Sequence, residues 1–369
     1  MSDDPITYAS AGVDTQAGDR AVELMKAAVQ ATHTARVVGG VGGFAGLYDA
    51  GFLTRYRHPL LATSTDGVGT KVAIAQQLDV HDTIGFDLVG MVVDDIVVVG
   101  AEPLFMTDYI ATGSVVPERV AAIVRGIAEA CQATGTTLLG GETAEHPGLL
   151  APDEYDVAGA VTGVVEADGL LGPARVRAGD VLIGMASSGL HSNGYSLVRA
   201  VVRAAGWSLD RHVPELGREL GLELLEPTRL YARACLDLLA DDATQVHALS
   251  HVTGGGLAAN LARVLPPGLL AEVDRATWTV PPVFELVRSL GKVPWSDLEA
   301  TLNLGVGMVA VVAPDGVAPT LAGLAASGIP AWVLGRVHHD EGGHGGALVQ
   351  GTKGVLGGAV LLEGEYRVG

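Results

Sequence analysis

Read for its apolar and polar positions, the chain switches repeatedly between two periods. "AGDRAVELMKAAVQATH" spaces apolar residues three and four apart, which predicts a helix. The apolar run before "STDGVGTK" predicts a strand that ends at Asp66. The next segment sets propensity against pattern. "MVVDDIVVVG" is rich in β-branched residues and would pass as a strand. Together with "HDTIGFDLVG", however, Ile84, Leu88, Met91 and Val92 fall at helical spacing. A helix over about Thr83–Val99 is therefore expected, with Asp87, Met91 and Asp94 on one face.

"LFMTDYIATG" and "YDVAGAVTGVVEA" predict strands, and "PERVAAIVRGIAEACQATG" a helix with proline at its start and glycine after its end. "TTLLGGETAEHPG" reads as a strand running into a Gly-Gly-acid loop. Beyond it the alternation repeats. "DVLIGMASS", "LGVGMVAVVA" and "AWVLGRVHH" predict strands, while "NGYSLVRAVVRAAG", "PTRLYARACLDLLAD" and "GGGLAANLARVLP" predict helices. Both halves are thus α/β with mixed sheets. The turn-rich, charged stretch "GLLGPARVRAGD" divides them into 1–169 and 170–369. The tract His338–Gly346 is internal and glycine-rich, and is expected to be an exposed hairpin loop rather than a metal site.

Length, 369 residues, agrees with two domains, and 48% apolar residues supply their cores. A formal charge of -19 without a basic stripe excludes an ordinary nucleic-acid binder. Phosphate binding would have to use backbone amides, a few cations and metal ions. Cys131 and Cys235 lie far apart in helix-like segments, and are expected to be buried free thiols in a reducing compartment. "MSDDPITYAS" carries no signal-peptide pattern. The longest uncharged run, Val317–Gly335, is broken by Pro319 and Pro330 and reads as helix, turn, strand. A soluble, cytoplasmic protein is expected, with no membrane partner.

Glycine-punctuated segments carry the candidate chemistry. "VVGGVGGFAGLY" puts Gly39, Gly40, Gly42 and Gly43 in a loop suited to a mobile flap or an amide nest, with Phe44 and Tyr48 anchoring its far end. "STDGVGTK" resembles a phosphate loop, but Gly67, Gly69, Thr70 and Lys71 have the wrong spacing, and Asp66 stands where an anion would go. Asp66, Asp94, Asp95 and Glu142 each follow an apolar run. Converging carboxylates repel unless cations separate them, so as a set they point to magnesium. The acid then serves the phosphate by holding the metal, and Lys71 adds a point charge. In "SSGLHSNG", His191 can exchange a proton, while Ser192 and Asn193 can cap the next helix or meet a ligand. "SHVTGGGL" presents His251 and Thr253 in a similar turn.

In their order, "YASAGVD", "GGVGGFAGLY", "STDGVGTK", "VDDIVVVGAEPLFMTDYIATG", "GGETAEHPG", "ASSGLHSNGYSLVR", "EPTRLY", "SHVTGGGL" and "LNLGVGM" span nearly the whole chain. They resemble the aminoimidazole ribonucleotide synthetase (phosphoribosylformylglycinamidine cyclo-ligase) family of purine biosynthesis. The resemblance implies two α/β domains, a homodimer paired through its N-terminal sheets, and an ATP site in the interdomain cleft. It implies formylglycinamidine ribonucleotide and ATP as substrates, with magnesium and, as an open alternative, potassium. ATP contacts would fall on Lys26, Lys71, Gly67, Gly69, Thr70, Gly40, Gly42 and Gly43. Metal ligands would be Asp66, Asp94, Asp95 and Glu142. His191, His251 and Asn193 would be catalytic, and Ser192 and Thr253 would contact the ribotide. One departure is "WSDLEATLN", where Glu299-Ala300 replaces an expected arginine-threonine pair. Sister families fit less well: selenophosphate synthetase and the hydrogenase maturation factor each have a reactive terminal-region cysteine, which is not found here.

Overall fold

The computed structural model describes residues 15–40, 42–344, 347–351 and 357–368. The motif "YASAGVD", Val41 of the glycine loop and Gly345–Gly346 of the histidine tract lie outside the described residues.

Four strands, β1 (Pro59–Gly67), β2 (Glu102–Thr112), β3 (Thr137–Glu145) and β4 (Tyr155–Glu166), form the first sheet in the order β1-β4-β2-β3. β2 and β3 are parallel and the other pairs antiparallel. Its helices are α1 (Thr15–Ala31), α2 (Val72–Leu78), α3 (Ile84–Val97) and α4 (Pro117–Thr134). The second sheet contains β5 (Val181–Ala186), β6 (Val246–His251), β7 (Leu269–Asp274), β8 (Val306–Val312), β9 (Ala331–His339), β10 (Ala347–Gln350) and β11 (Ala359–Glu363). Their order is β6-β8-β5-β9-β7-β11-β10, antiparallel except for β7 with β11. Among the described residues no helix is long and apolar enough to cross a membrane.

α3 is a helix despite its β-branched residues, because it is buried nearly all round and tertiary packing overrides propensity. Its close approach to α4 depends on two glycines. A Cβ on Gly85 would lie 2.0 Å from Ile127 N, and one on Gly126 would lie 1.8 Å from Asp82 O. One apolar cluster continues from α3 and α4 through β5, β6 and β8, so both halves share a core. Cys131 and Cys235 are buried free thiols.

Several boundaries differ from the sequence reading. The "PTRLY" stretch is not helical, and its helix begins at Ala232, because Thr228 and Tyr231 turn their amides toward α3. The helix expected over "GGGLAANLARVLP" is Gly256–Leu261 followed by a 3-10 turn. Gly140 and Gly141 are not a loop but part of β3, which runs on to Glu145. The glycine loop is closed by a short ladder, Val37–Val38 against Leu47–Tyr48. Tyr48 does anchor it, packing 5.2 Å from Phe105, whereas Phe44 is fully exposed and anchors nothing.

The register aligns Asp66, Gly159, Asp108 and Gly141 in one row across the first sheet. That row faces α3, since a Cβ on Gly159 would meet Leu88 at 3.2 Å. Asp108 is buried there, and desolvation pushes its carboxyl up to about 7. An unfolded aspartate ionises near 4, so the native state binds the extra proton between about pH 4 and 7. This group therefore removes stability as pH rises through that window. Asp108→Asn should flatten the pH dependence of urea midpoints between pH 4 and 7, and should stabilise the protein at pH 8 by up to about 4 kcal/mol. Gly85→Ala should cost roughly 3 kcal/mol, read from the same denaturation curves, by forcing α3 off α4.

Candidate active site

The face of α3 predicted to carry Asp87, Met91 and Asp94 turns toward the second half of the chain. Asp87 Oδ1 accepts from Thr228 N and Oγ1 at 3.0 and 2.6 Å. Met91 Sδ lies 3.4 Å from Asn193 Nδ2. Both oxygens of Asp94 accept from Tyr231 N at 3.2 Å. Asp95, one residue round, meets His251 Nδ1 at 2.9 Å through Oδ1. These four contacts place the loop after β5, the stretch 228–231 and the end of β6 against one helix.

His251 is the centre of the acid cluster. Burial opposes its charge, but the bond to Asp95 and the charges of Asp94, Asp95 and Asp66 outweigh burial and hold it above its ordinary value. Asp66, at the end of β1, is half-buried and accepts from Gly67 N at 2.7 Å. Burial chiefly raises its carboxyl; the Gly67 amide draws it back, and the negative charge of Asp95 adds to the rise. Asp94 is fully buried, and desolvation is the main force lifting it to about 7.

His191 follows a different logic. It adopts φ +61, the left-handed region, in the turn after β5. Its Nε2 accepts from Ser188 N at 3.1 Å, which puts the ring proton on Nδ1. Burial, reinforced by His251, Lys71 and Arg229, holds it well below the ordinary imidazole value, so the ring is neutral. The turn is fixed from several sides. Asn303 Nδ2 donates to Gly189 O at 3.0 Å and Leu190 O at 3.2 Å, and Ser192 Oγ donates to Val68 O at 2.8 Å. Gly307 is required beside it, because a Cβ there would lie 2.6 Å from His191 Cε1 and 2.0 Å from Tyr231 Oη.

Asn193 sits beside the second glycine turn, where a Cβ on Gly254 would be 3.2 Å from its Oδ1. Thr253 O accepts from Asn260 Nδ2 at 3.3 Å. Gly67 ends β1, and Gly69, at φ +73, opens the short turn Gly69–Lys71. Thr70 Oγ1 lies 3.3 Å from Ser196 Oγ, across the seam between the halves.

Four expected contacts are not made in this structure. Lys71 is not a phosphate contact in this structure. Its side chain is wholly buried, and Nζ donates to Asp87 Oδ1, His191 O and Glu226 O at 2.7, 2.9 and 2.7 Å, leaving no donor for a ligand. Glu142 does not join the acids. It is the register partner of Tyr109, on the sheet face opposite Asp66 and Asp108, because β3, after a register shift at Leu139, stays paired with β2 through Gly141. Lys26 stays on exposed α1, where Glu23 at 3.9 Å is its one charged partner among the described residues. Gly40, Gly42 and Gly43 lie in the exposed loop and not in the cluster.

Sequence reasoning missed Asp87, Thr228, Tyr231 and Asn303. The signal for Asp87 was present: an acid on an otherwise apolar helix face needs a buried partner. The Glu299 departure has a structural explanation. Glu299 accepts from Arg275 Nε at 2.6 Å, and Arg275 also donates to Leu362 O at 2.7 Å, so this acid ties its helix to β11.

Donor chemistry limits the metal reading. Asp66 and Asp95 fit a magnesium ion: both are only partly enclosed, and Asp95 keeps an oxygen beyond its bond to His251. Asp94, enclosed and held by Tyr231 N, does not fit as a direct ligand. Among the described residues no three His, Cys, Asp or Glu side chains close a metal cage by themselves.

Residues 48–165 match the N-terminal domain of the AIR synthase related protein family, and residues 177–346 match its C-terminal domain. A phosphoribosylformylglycinamidine cyclo-ligase of Geobacillus sp. (strain WCH70) is 48% identical over 91% of this chain and 96% of its own. One from Anaeromyxobacter sp. (strain Fw109-5) is 49% identical over 91% and 97%. Among solved structures, thiamine-monophosphate kinase from Stenotrophomonas maltophilia K279a aligns with a TM-score of 0.65 at 18% identity, covering 93% of this chain and 96% of that one. A hydrogenase maturation protein HypE solved in complex with ATP aligns at 0.57 and 18% identity, over 89% and 88%. These two share the fold. With nearly half its residues identical across almost the full length, the chain belongs to the phosphoribosylformylglycinamidine cyclo-ligase family.

Proposed function

We infer that the protein catalyses ATP-dependent closure of formylglycinamidine ribonucleotide to 5-aminoimidazole ribonucleotide, releasing ADP and phosphate. Membership of the cyclo-ligase family supports the reaction. The single structural observation that carries the site is the Asp95–His251 pair set beside Asp66 at the seam of the halves.

The chemistry divides into two steps. The formyl oxygen attacks the γ-phosphorus of ATP, and ADP leaves. The amidine nitrogen then attacks the activated carbon, a C–N bond forms, the nitrogen loses a proton, and the C–O bond breaks to release phosphate. Alignment and charge neutralisation dominate the first step, and a proton acceptor is needed in the second. His191 is poorly suited to accept that proton, because Nε2 is engaged by Ser188 N and burial disfavours the charged ring. His251 is the better acceptor, because Asp95 orients it through Nδ1 and favours its charged form. Asp66 and Asp95 would hold magnesium together with phosphate oxygens. When bound, that ion neutralises phosphate charge. Asn193, Ser192 and Thr253 line the same seam and would orient the ribotide. The exposed loop around Gly40, Gly42 and Gly43 would close over ATP and exclude water.

The chain divides at 1–169 and 170–369 in this reading, with ATP at the junction. A second copy would cover the open face of the first sheet, where Leu61 and Tyr109 are 64% and 42% exposed. Function in the cytoplasm goes with the reaction.

His251→Ala and Asp66→Ala, assayed for ribotide-dependent phosphate release, should each lose at least about 100-fold in kcat. Activity within a few-fold of wild type would remove these assignments. Leu61→Asp should shift the protein from dimer to monomer in sedimentation; an unchanged dimer would place the interface elsewhere.

A further inference from the structure

Lys71 ends the loop that carries Asp66, yet its side chain leaves that loop and crosses into the second half. Three acceptors surround Nζ: Asp87 Oδ1, His191 O and Glu226 O, at 2.7, 2.9 and 2.7 Å. The ammonium form supplies an N–H group to each of the three acceptors. Burial lowers Lys71 and raises Asp87, but their mutual attraction, the Thr228 donors on Asp87 and the two carbonyls on Nζ oppose that loss of charge, and we treat the pair as ionic. Asp87 Oδ1 additionally accepts from Thr228 N and Oγ1, while Oδ2 is buried without a partner. One charge pair thus joins four pieces of chain: the loop 66–71, α3, the turn 187–193 and the stretch 226–228.

Stability alone does not account for this arrangement. Desolvation of two fully buried charges can exceed their mutual attraction, and an apolar pair would hold the halves together as well. An apolar pair cannot, however, fix the direction of a peptide carbonyl. His191 needs such a fixture, because its left-handed backbone is one that side-chain-bearing residues rarely adopt. Two of its turn's tethers, Lys71 Nζ to His191 O and Ser192 Oγ to Val68 O, come from the loop that also carries Asp66. Movement of that turn relative to the acids is thereby restricted at the atoms that bracket the seam.

We propose that Lys71, Asp87 and Thr228 are positioning residues, a directional strut that sets the His191–Asn193 turn against Asp66 and Asp95 for turnover. The effect on rate rests on the cyclo-ligase reading above; the effect on loop geometry does not. The test variant is Lys71→Met/Asp87→Asn, which removes both charges and leaves an acceptor for Thr228. It should stay folded, keep KM for ATP and ribotide within about threefold, and lose roughly 10- to 100-fold in kcat, as misplacement of reacting groups does. A folded double variant with wild-type kcat would overturn the proposal. So would a tenfold rise in KM for ATP at unchanged kcat, which would make Lys71 a phosphate ligand. Thr228→Val provides a milder version should the double variant not fold. It should lower kcat several-fold and Thr228→Ser should restore it; equal rates for Thr228→Val and wild type would overturn the strut. Amide hydrogen exchange at Ser192 and Asn193 reads the geometry without turnover. Exchange should quicken in Thr228→Val, and unchanged exchange counts against the proposal even if wild-type protein proves to have no cyclo-ligase activity.

Discussion

One buried ammonium group, Lys71 Nζ, ties together the two halves of this protein where the site lies. It has no water to solvate it, so the surrounding chain must supply every acceptor, and those acceptors come from both halves. Removing either member of such a pair typically costs about 3–5 kcal/mol, since the other is left buried and uncompensated. The consequence extends to Asp87 and Thr228, to the extended "EPTRLY" stretch, and to the turn that presents His191. Together with the Asp95–His251 and Ser192–Val68 bonds, this centre fixes the acids on the first half relative to the histidines on the second.

Around that centre the site separates charge by function. His251 is surrounded by carboxylates and favours the proton, whereas burial, reinforced by nearby cationic groups, keeps His191 neutral. Two histidines in similar glycine turns thus acquire opposite properties from their neighbours alone. The acids divide similarly. Asp66 and Asp95 remain partly open, while Asp94 is enclosed and both its oxygens accept from Tyr231 N, which anchors that stretch to α3.

Much of the fold was legible because the pattern signals were strong. α3 could be read as a helix from the spacing of Ile84, Leu88, Met91 and Val92, against its own β-branched composition. The shared face of Asp87, Met91 and Asp94 followed from that reading and proved to be the face that meets the second half. Where the reading failed, the cause was tertiary. Gly140–Gly141 reads as a turn, yet pairing with β2 carries the strand through and sends Glu142 to the far face. "PTRLY" reads as helix, yet Asp87 and Asp94 capture its amides and delay the helix to Ala232.

Sequence alone determined the family, the mixed α/β character, the burial of the two cysteines and the segments that carry the chemistry. Those depend on residue order and local period, which a chain displays directly. Tertiary structure decided which of the charged residues meet and what each becomes there. Lys71 in "STDGVGTK" has the local features of a phosphate contact, and nothing near it in the chain says otherwise. Its role is set by Asp87, His191 and Glu226, groups 16, 120 and 155 residues away. Desolvation acts on a charge through everything packed around it, and that environment exists only once the two halves have closed on one another.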